Sequence, residues 1–365
     1  MNRNGLLSFL SSILVVIVGL FIGLIVLLVT DASQAFPAFG TIITFGASSM
    51  RNIGDVLLHA TPIILTGLSV AFAFKTGLFN IGASGQFIIG GFVAIVIGIH
   101  GTFLPSPVRI IVAMLAAALA GALWAAIPGM LKAFRNVHEV ISSIMTNYIA
   151  MFFVVFMIQH FYSLLNRGMG TSAHLPESSN LPRLFFPYIF REQIGQVFLS
   201  SRVNIGILIA IALAILVYVI LEKTTFGYEL KACGFNQDAA KYAGINQKRN
   251  IVFSMMISGG LAGIAGALNF MRGGGVGISI IEALPMEGFT GISVAFLGLN
   301  NPIGIIFSGI FISYMQLGGG RLQTYGFSSE LVETVVAVII YFCAFVFVTK
   351  SLIGRFISKK KEGGN

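Results

Sequence analysis

Four side-chain amides in or beside the apolar runs of this chain are candidates for a solute path: Asn80, Gln86, Asn147 and Asn269. An uncharged amide offers two donors and an acceptor with two lone pairs. Its chemistry is hydrogen bonding to a polar partner or solute. Left unpaired in a medium without water, an amide costs several kcal/mol. Each of the four must therefore face a partner, water or a solute. Bonding between helices is the competing use, worth about 0.6 kcal/mol per pair. Asn80 and Gln86 lie in a glycine-broken stretch, which favours a path for a polar solute there.

Other chemistry finds no residues to carry it. The chain has no HExxH, no acidic pair and no nucleophile motif. Its five histidines show no paired ligand spacing, and Cys233 and Cys343 are far apart. No catalytic residue, metal site or cofactor is expected. Glu139 and Glu333 sit near the ends of apolar runs, where a carboxylate is cheap to place. An ion-coupled carrier would need carboxylates at mid-depth. A phosphate loop of the form GxxxxGK[ST] is missing, since Lys75-Thr76 lacks the preceding glycine. Any ATP must be handled by another chain.

The elements that position these amides are membrane spans. Hydrophobic residues make up 56% of the 365, and charged ones only 10%. A soluble domain carries about 25% charged residues. Mean hydropathy is +0.92. About 20 apolar residues cross the hydrocarbon as a helix. On that rule spans fall near 10–30, 56–75, 85–100, 109–131, 140–165, 203–221, 251–271, 288–299, 303–317 and 331–349. The segments 76–100 and 288–317 are short and broken by Gly, Asn or Pro, so they read as discontinuous or re-entrant. The fold class is all-α, a polytopic helical bundle of eight to ten transmembrane helices. The run Ile13–Val29 reads as a retained first span rather than a signal peptide.

An even count puts both ends on one side. With both ends in the cytoplasm, 14 of the 22 basic residues fall inside, including all ten lysines. This follows the positive-inside rule, and it accounts for the net charge of +9 without nucleic acid. Residues 166–202 then form an extracytoplasmic loop and 222–250 a cytoplasmic one. Neither is long enough to be a domain, so 1–365 reads as a single membrane domain. Gly259, Gly263 and Gly266 allow close helix packing in span 251–271, and Gly273–Gly277 suits an outer connection.

The loop 222–250 carries its own signals. Asn236 is placed to cap a helix from Gln237 to Ala243, and Gly244 to end it in the left-handed conformation. Asp238 and Lys241 suit the helix dipole. A two-turn helix is marginal in water alone. Its small-residue surface (Ala239, Ala240, Ala243) with one aromatic, Tyr242, points to a docking element.

At these residues the chain resembles a known family. Lys231, Ala232, Gly234, Asn236, Ala239, Ala240, Ala243, Gly244 and Ile245 are similar to the coupling loop of permease subunits in ABC importers for simple sugars, nucleosides and branched-chain amino acids. Lys231 replaces the usual Arg, and Gln237 stands where Pro is frequent. The stretch Lys75–Gly82 through Gly85-Gln86 resembles the family's GLFNIG-x-x-GQ signature, with Ser84 where many members have Glu. His138–Ile141 with Asn147–Ile149 resembles the nucleoside-type branch, and Gly288–Gly304 also matches. The resemblance implies a subunit of a bacterial plasma-membrane importer that does no covalent chemistry. Its partners would be a cytoplasmic ATPase, a second and non-identical permease, and an extracytoplasmic substrate-binding (lipo)protein. Nucleosides would be its substrates, with sugars or branched-chain amino acids as the alternative. It implies ATPase coupling through Lys231, Asn236, Asp238, Ala239, Ala240, Tyr242 and Gly244.

Overall fold

The computed structural model describes residues 3–183, 202–343, 345–346, 348–349 and 351. Pro187 and Arg191 of the 166–202 loop, and the basic residues Lys350, Arg355 and Lys359–Lys361, lie outside the described residues. Helices dominate. In chain order they are α1 (Arg3–Thr30), α2 (Ala32–Thr44), α3 (Met50–Phe74), α4 (Ala83–His100), α5 (Ser106–Arg135), α6 (Glu139–His160) and α7 (Gly206–Lys223). There follow α8 (Thr225–Phe235), α9 (Gln237–Tyr242), α10 (Gln247–Phe270), α11 (Met286–Leu297), α12 (Pro302–Gly319) and α13 (Ser329–Cys343). Among the described residues, eight helices are long and apolar enough to cross a membrane.

Their surfaces suit lipid. On α5, Ile111, Leu115, Leu119, Leu123 and Ile127 are all exposed at four-residue spacing. In water such a stripe would drive aggregation. In a bilayer it meets its own kind, and the helix satisfies its backbone internally.

The chain forms two compact units. One comprises the described residues of Met1–Ala60 and Ser293–Asn365, the other those of Thr61–Phe185 and Arg202–Ile292. In the first, α1 lies close along α13, where Gly19 meets the Ile339 backbone. Gly318 of α12 lies on the Ile42 carbonyl of α2. Leu27, Ile42, Met315, Val335 and Ile339 make the core there. Asn301 caps α12, its Oδ1 accepting from the Ile303 and Gly304 amides, with Pro302 in the first turn.

In the second unit, α10 is the central helix. A Cβ on Gly263 would strike the Ala117 carbonyl of α5, one on Gly259 the Gly121 carbonyl, and one on Gly266 the Phe87 carbonyl of α4. Glycine lets these backbones touch, as the spacing implied. Arg109 of α5 is 3% exposed and donates to the Ser178 carbonyl and Oγ, at 3.1 and 2.8 Å. Beyond α6, β1 (Leu165–Asn166) pairs antiparallel with β2 (Thr171–Ser172). The Ser172 amide also donates to the Ile278 carbonyl at 2.7 Å. Gly273, Gly274 and Gly275 are all left-handed in the connection after α10.

Three expectations change. The segment 76–100 is not broken throughout: after a turn at 75–82, α4 is one continuous helix of 18 residues. Its glycines serve packing, with Gly90 on Gly263 and Gly91 under the Phe270 ring. The loop 222–250 holds two helices, α8 and α9, rather than one. Between the first two expected spans lies α2, capped by Asp31, whose side chain accepts from the Ser33 amide at 2.9 Å. The pair α11 and α12 keeps the expected break, at left-handed Leu299 and Asn300.

Candidate functional site

Two of the four amides answer each other. The Asn80 amide nitrogen donates to Gln86 Oε1 at 2.8 Å, and the Gln86 nitrogen donates back to Asn80 Oδ1 at 3.1 Å. Asn80 also donates to Ser258 Oγ of α10 at 2.7 Å. Ser258 in turn donates to the Ser69 carbonyl of α3 at 2.7 Å. Asn80 and Gln86 are fully buried. Next to them, Asn147 of α6 accepts from the Gly85 amide at 2.8 Å and donates to the Ile81 carbonyl at 2.9 Å. It thereby satisfies two backbone groups left over where the chain turns into α4. The three residues thus form one polar cluster joining α3, α4, α6 and α10.

Asn269 is apart from them, near the other end of α10. It is 5% exposed, and its Oδ1 has no hydrogen-bond partner among the described residues. Ser84, Ser69, Ser258, Thr76 and Ser254 are not distinguished as polar partners by the sequence. Small hydroxyls in apolar runs are common and signal nothing until a partner is placed. Thr76 Oγ1 lies 2.7 Å from Ser254 Oγ, and Ser84 Oγ donates to the Pro285 carbonyl at 3.1 Å.

The segment 222–250 is built from local caps. Thr224 caps α8 by accepting from the Gly227 amide at 3.1 Å. Asn236 ends α8 and caps α9, accepting from the Ala239 amide at 3.0 Å. Gly244 follows with φ +81. Asp238 lies in the first turn of α9 and Lys241 in the last. Ala240 is buried, whereas Tyr242 is 94% and Phe235 is 91% exposed. Between α8 and α9 runs a groove of about 480 Å³ whose lining includes Ala232, Ala239, Ala240 and Ala243 together with Tyr228 and Phe235. Replacing Asn236 by alanine removes one cap. We expect a loss of about 1 kcal/mol, confined to this segment, read as faster amide exchange at residues 237–243 with the spans unchanged.

Ion pairs fasten α8 to its neighbours. Glu229 binds Arg249 at 2.7 Å and the Asn250 amide at 3.0 Å. Lys231 pairs with Glu222 at 3.0 Å. Burial pushes the Lys75 amine below the ordinary lysine value, with Glu222 opposing and Lys231 adding to the fall. Burial pushes the Cys233 thiol up, opposed by its Asn250 contact and reinforced by Glu229. Among the described residues no cluster of His, Cys, Asp or Glu could hold a metal.

Residues 52–349 match the family described as the permease component of branched-chain amino acid transport systems. The chain belongs to this family. It is a multi-pass membrane permease of the ABC importer type, and a separate ATPase hydrolyses the ATP. Such a permease works with that ATPase and with a substrate-binding protein. It is 36% identical to the guanosine ABC transporter permease NupP of Bacillus subtilis, over 97% of each chain. It is 33% identical to the nucleoside ABC transporter permease NupB of Lactococcus lactis, over 94% of this chain and 92% of the relative. To the glucose ABC transporter permease TsgB13 of Haloferax volcanii it is 30% identical, over 92% and 87%. No solved structure matches it.

Proposed function

We propose that this permease carries nucleosides into the cell, with residues 1–365 acting as one transport domain and both ends in the cytoplasm. The observation that supports this most is similarity over nearly full length to permeases named for guanosine and nucleosides. The similarity to a glucose permease favours a sugar as the second reading. The helices α8 and α9 are the docking element for the ATPase, through Lys231, Asn236, Asp238, Ala239, Ala240, Tyr242 and Gly244. Their caps, exposed aromatics and small-residue groove support that role.

The second permease is a different chain. The guanosine transporter of Bacillus subtilis is named with another permease, NupQ, 28% identical to this chain over 71% of it. The substrate path passes Asn80, Gln86, Asn147 and Asn269, and transport proceeds by alternating access as the ATPase closes. Of these four, Asn269 is the amide whose carbonyl oxygen has no partner among the described residues, so it is the first candidate to accept from a sugar hydroxyl.

The test is uptake of labelled guanosine into liposomes holding this chain with its ATPase, second permease and binding protein. ATP-dependent accumulation is expected, with unlabelled nucleosides competing and glucose without effect. Competition by glucose alone would transfer the assignment to sugars.

A further inference from the structure

Between α8 and the turn that leads to the polar cluster there is a backbone-to-backbone contact. The second glycine of α8, Gly234, lies on the turn that follows α3. A Cβ on Gly234 would strike the Lys75 carbonyl oxygen and lie 3.1 Å from the Gly77 amide nitrogen. Gly77 itself is left-handed, with φ +75, and a Cβ there would lie 3.4 Å from the Gly234 Cα. At this contact neither glycine has a side chain to absorb a displacement. A push on α8 is therefore a push on the turn 75–77.

That turn is fastened in turn to the spans. Thr76 is fully buried and bonds Ser254 of α10 at 2.7 Å. Leu78, 1% exposed, clusters with Ala73, Ile251 and Met255. Two residues on, Asn80 bonds Gln86 of α4 and Ser258 of α10. The middle of α8 is held through Glu229 to Arg249 and Asn250, at the start of the same α10. Side chains on flexible stems make that second link, whereas packed backbone makes the first. Close-packed contacts transmit strain with little give.

We infer that Gly234 is a positioning residue for transport: its contact with Lys75 and Gly77 delivers the movement of α8 and α9 to the Asn80–Gln86–Ser258 cluster. The inference rests on the reading of α8 and α9 as the ATPase-docking element. On this route the amide cluster is the mechanical end of the coupling path, and it rearranges when α8 moves. The Thr76–Ser254 bond ties the turn to α10, so the two shift together.

The experiment uses the full assembly in liposomes with labelled guanosine as probe. It reads three quantities: ATPase retained on purification, ATP hydrolysed, and guanosine moved per ATP. Gly234→Ala wedges α8 away from the turn. It is expected to keep the ATPase bound and hydrolysing while guanosine per ATP falls at least about tenfold. Gly40→Ala, where an added Cβ meets nothing within 4 Å, serves as the control and should match the wild type. Should Gly234→Ala fail to assemble, Thr76→Val with Ser254→Ala decides. That pair removes both hydroxyls together and so leaves no orphan; guanosine per ATP should again fall while assembly holds. Full coupling in either assembled variant overturns the inference. Failure of the wild-type chain to retain the ATPase would instead sink the docking reading. Wild-type assemblies that hydrolyse ATP but move no guanosine would sink the nucleoside reading. The same variants are then read by ATP-dependent maleimide labelling of Phe79→Cys, with Cys233 and Cys343 replaced by alanine. A labelling change that survives Gly234→Ala overturns the inference there too.

Discussion

Gly263→Ala is expected to destabilise the permease by more than about 3 kcal/mol, whereas Gly260→Ala on the same helix is expected to be neutral or stabilising. The two residues lie three apart in α10, within one turn. On propensity alone each change should gain up to about 1 kcal/mol, because alanine loses less backbone entropy in a helix. Their surroundings decide otherwise. A Cβ on Gly260 meets the Ala118 carbonyl at 3.4 Å and the Ala122 methyl at 3.8 Å, which are close to ordinary contacts. A Cβ on Gly263 would drive into the Ala117 carbonyl and crowd the Gly121 Cα at 3.2 Å. On the other side Gly90 of α4 rests on the Gly263 backbone. Overpacking of a core typically costs about 1–3 kcal/mol, because neighbouring side chains shift. Here the neighbours are backbones of two spanning helices, which cannot rotate aside. The contact between α10 and α5, and that between α10 and α4, must both open. Thermal unfolding in detergent reads the result. Equal melting temperatures for the two variants would show that α4, α5 and α10 do not approach this closely.

The same glycines show what the sequence could convey. Their spacing at 259, 263 and 266 announces close packing, and the structure supplies the partners Gly121, Ala117 and Phe87. Gly85, Gly90, Gly91 and Gly98 of α4 read as breaks, because a glycine that ends a helix and one that admits a neighbour look alike in one chain. Only the partner distinguishes them. Locally determined features were legible. Asn236, Asp238, Lys241 and Gly244 act within nine residues, and α9 begins at Gln237 as they place it and ends at Tyr242, one residue before the expected Ala243. Its neighbour α8 was not legible, since TFGYELKACGF confines its strong helix formers to Glu229–Ala232 and sets a glycine on either side of them. Burial of Leu230 and Cys233 and the Glu229 contacts hold it, and these are distant in sequence. For α2, Pro37 inside the helix hid it. Among the amides, the need for partners followed from the cost of burial, but Ser258 lies 178 residues from Asn80.

The Asn80–Gln86 pair yields the other large effect, and it separates two uses of a buried amide. Asn80→Leu keeps size but leaves both ends of the Gln86 amide without Asn80, at full burial. Each orphaned group costs about 1–3 kcal/mol, so the single change should cost about 2–6 kcal/mol. Gln86→Met should cost less, because Asn80 still has Ser258. With both replaced, no amide remains to be orphaned, and Ser258 keeps the Ser69 carbonyl. The double variant should therefore lose at least about 1 kcal/mol less than the sum of the singles, a coupling of the size expected for residues in contact. Thermal unfolding of the four proteins measures it, and strict additivity would mean that the reciprocal pair does not form. Uptake then decides the use. If the pair only joins helices, the double variant, once folded, should move guanosine at nearly the wild-type rate. If the amides hold the substrate or must rearrange to pass it, stability returns in the double variant but uptake does not. We expect the second result. The reciprocal pair satisfies both amides in the state described here, so a solute can reach them only when the pair opens, and an apolar pair offers it nothing on opening.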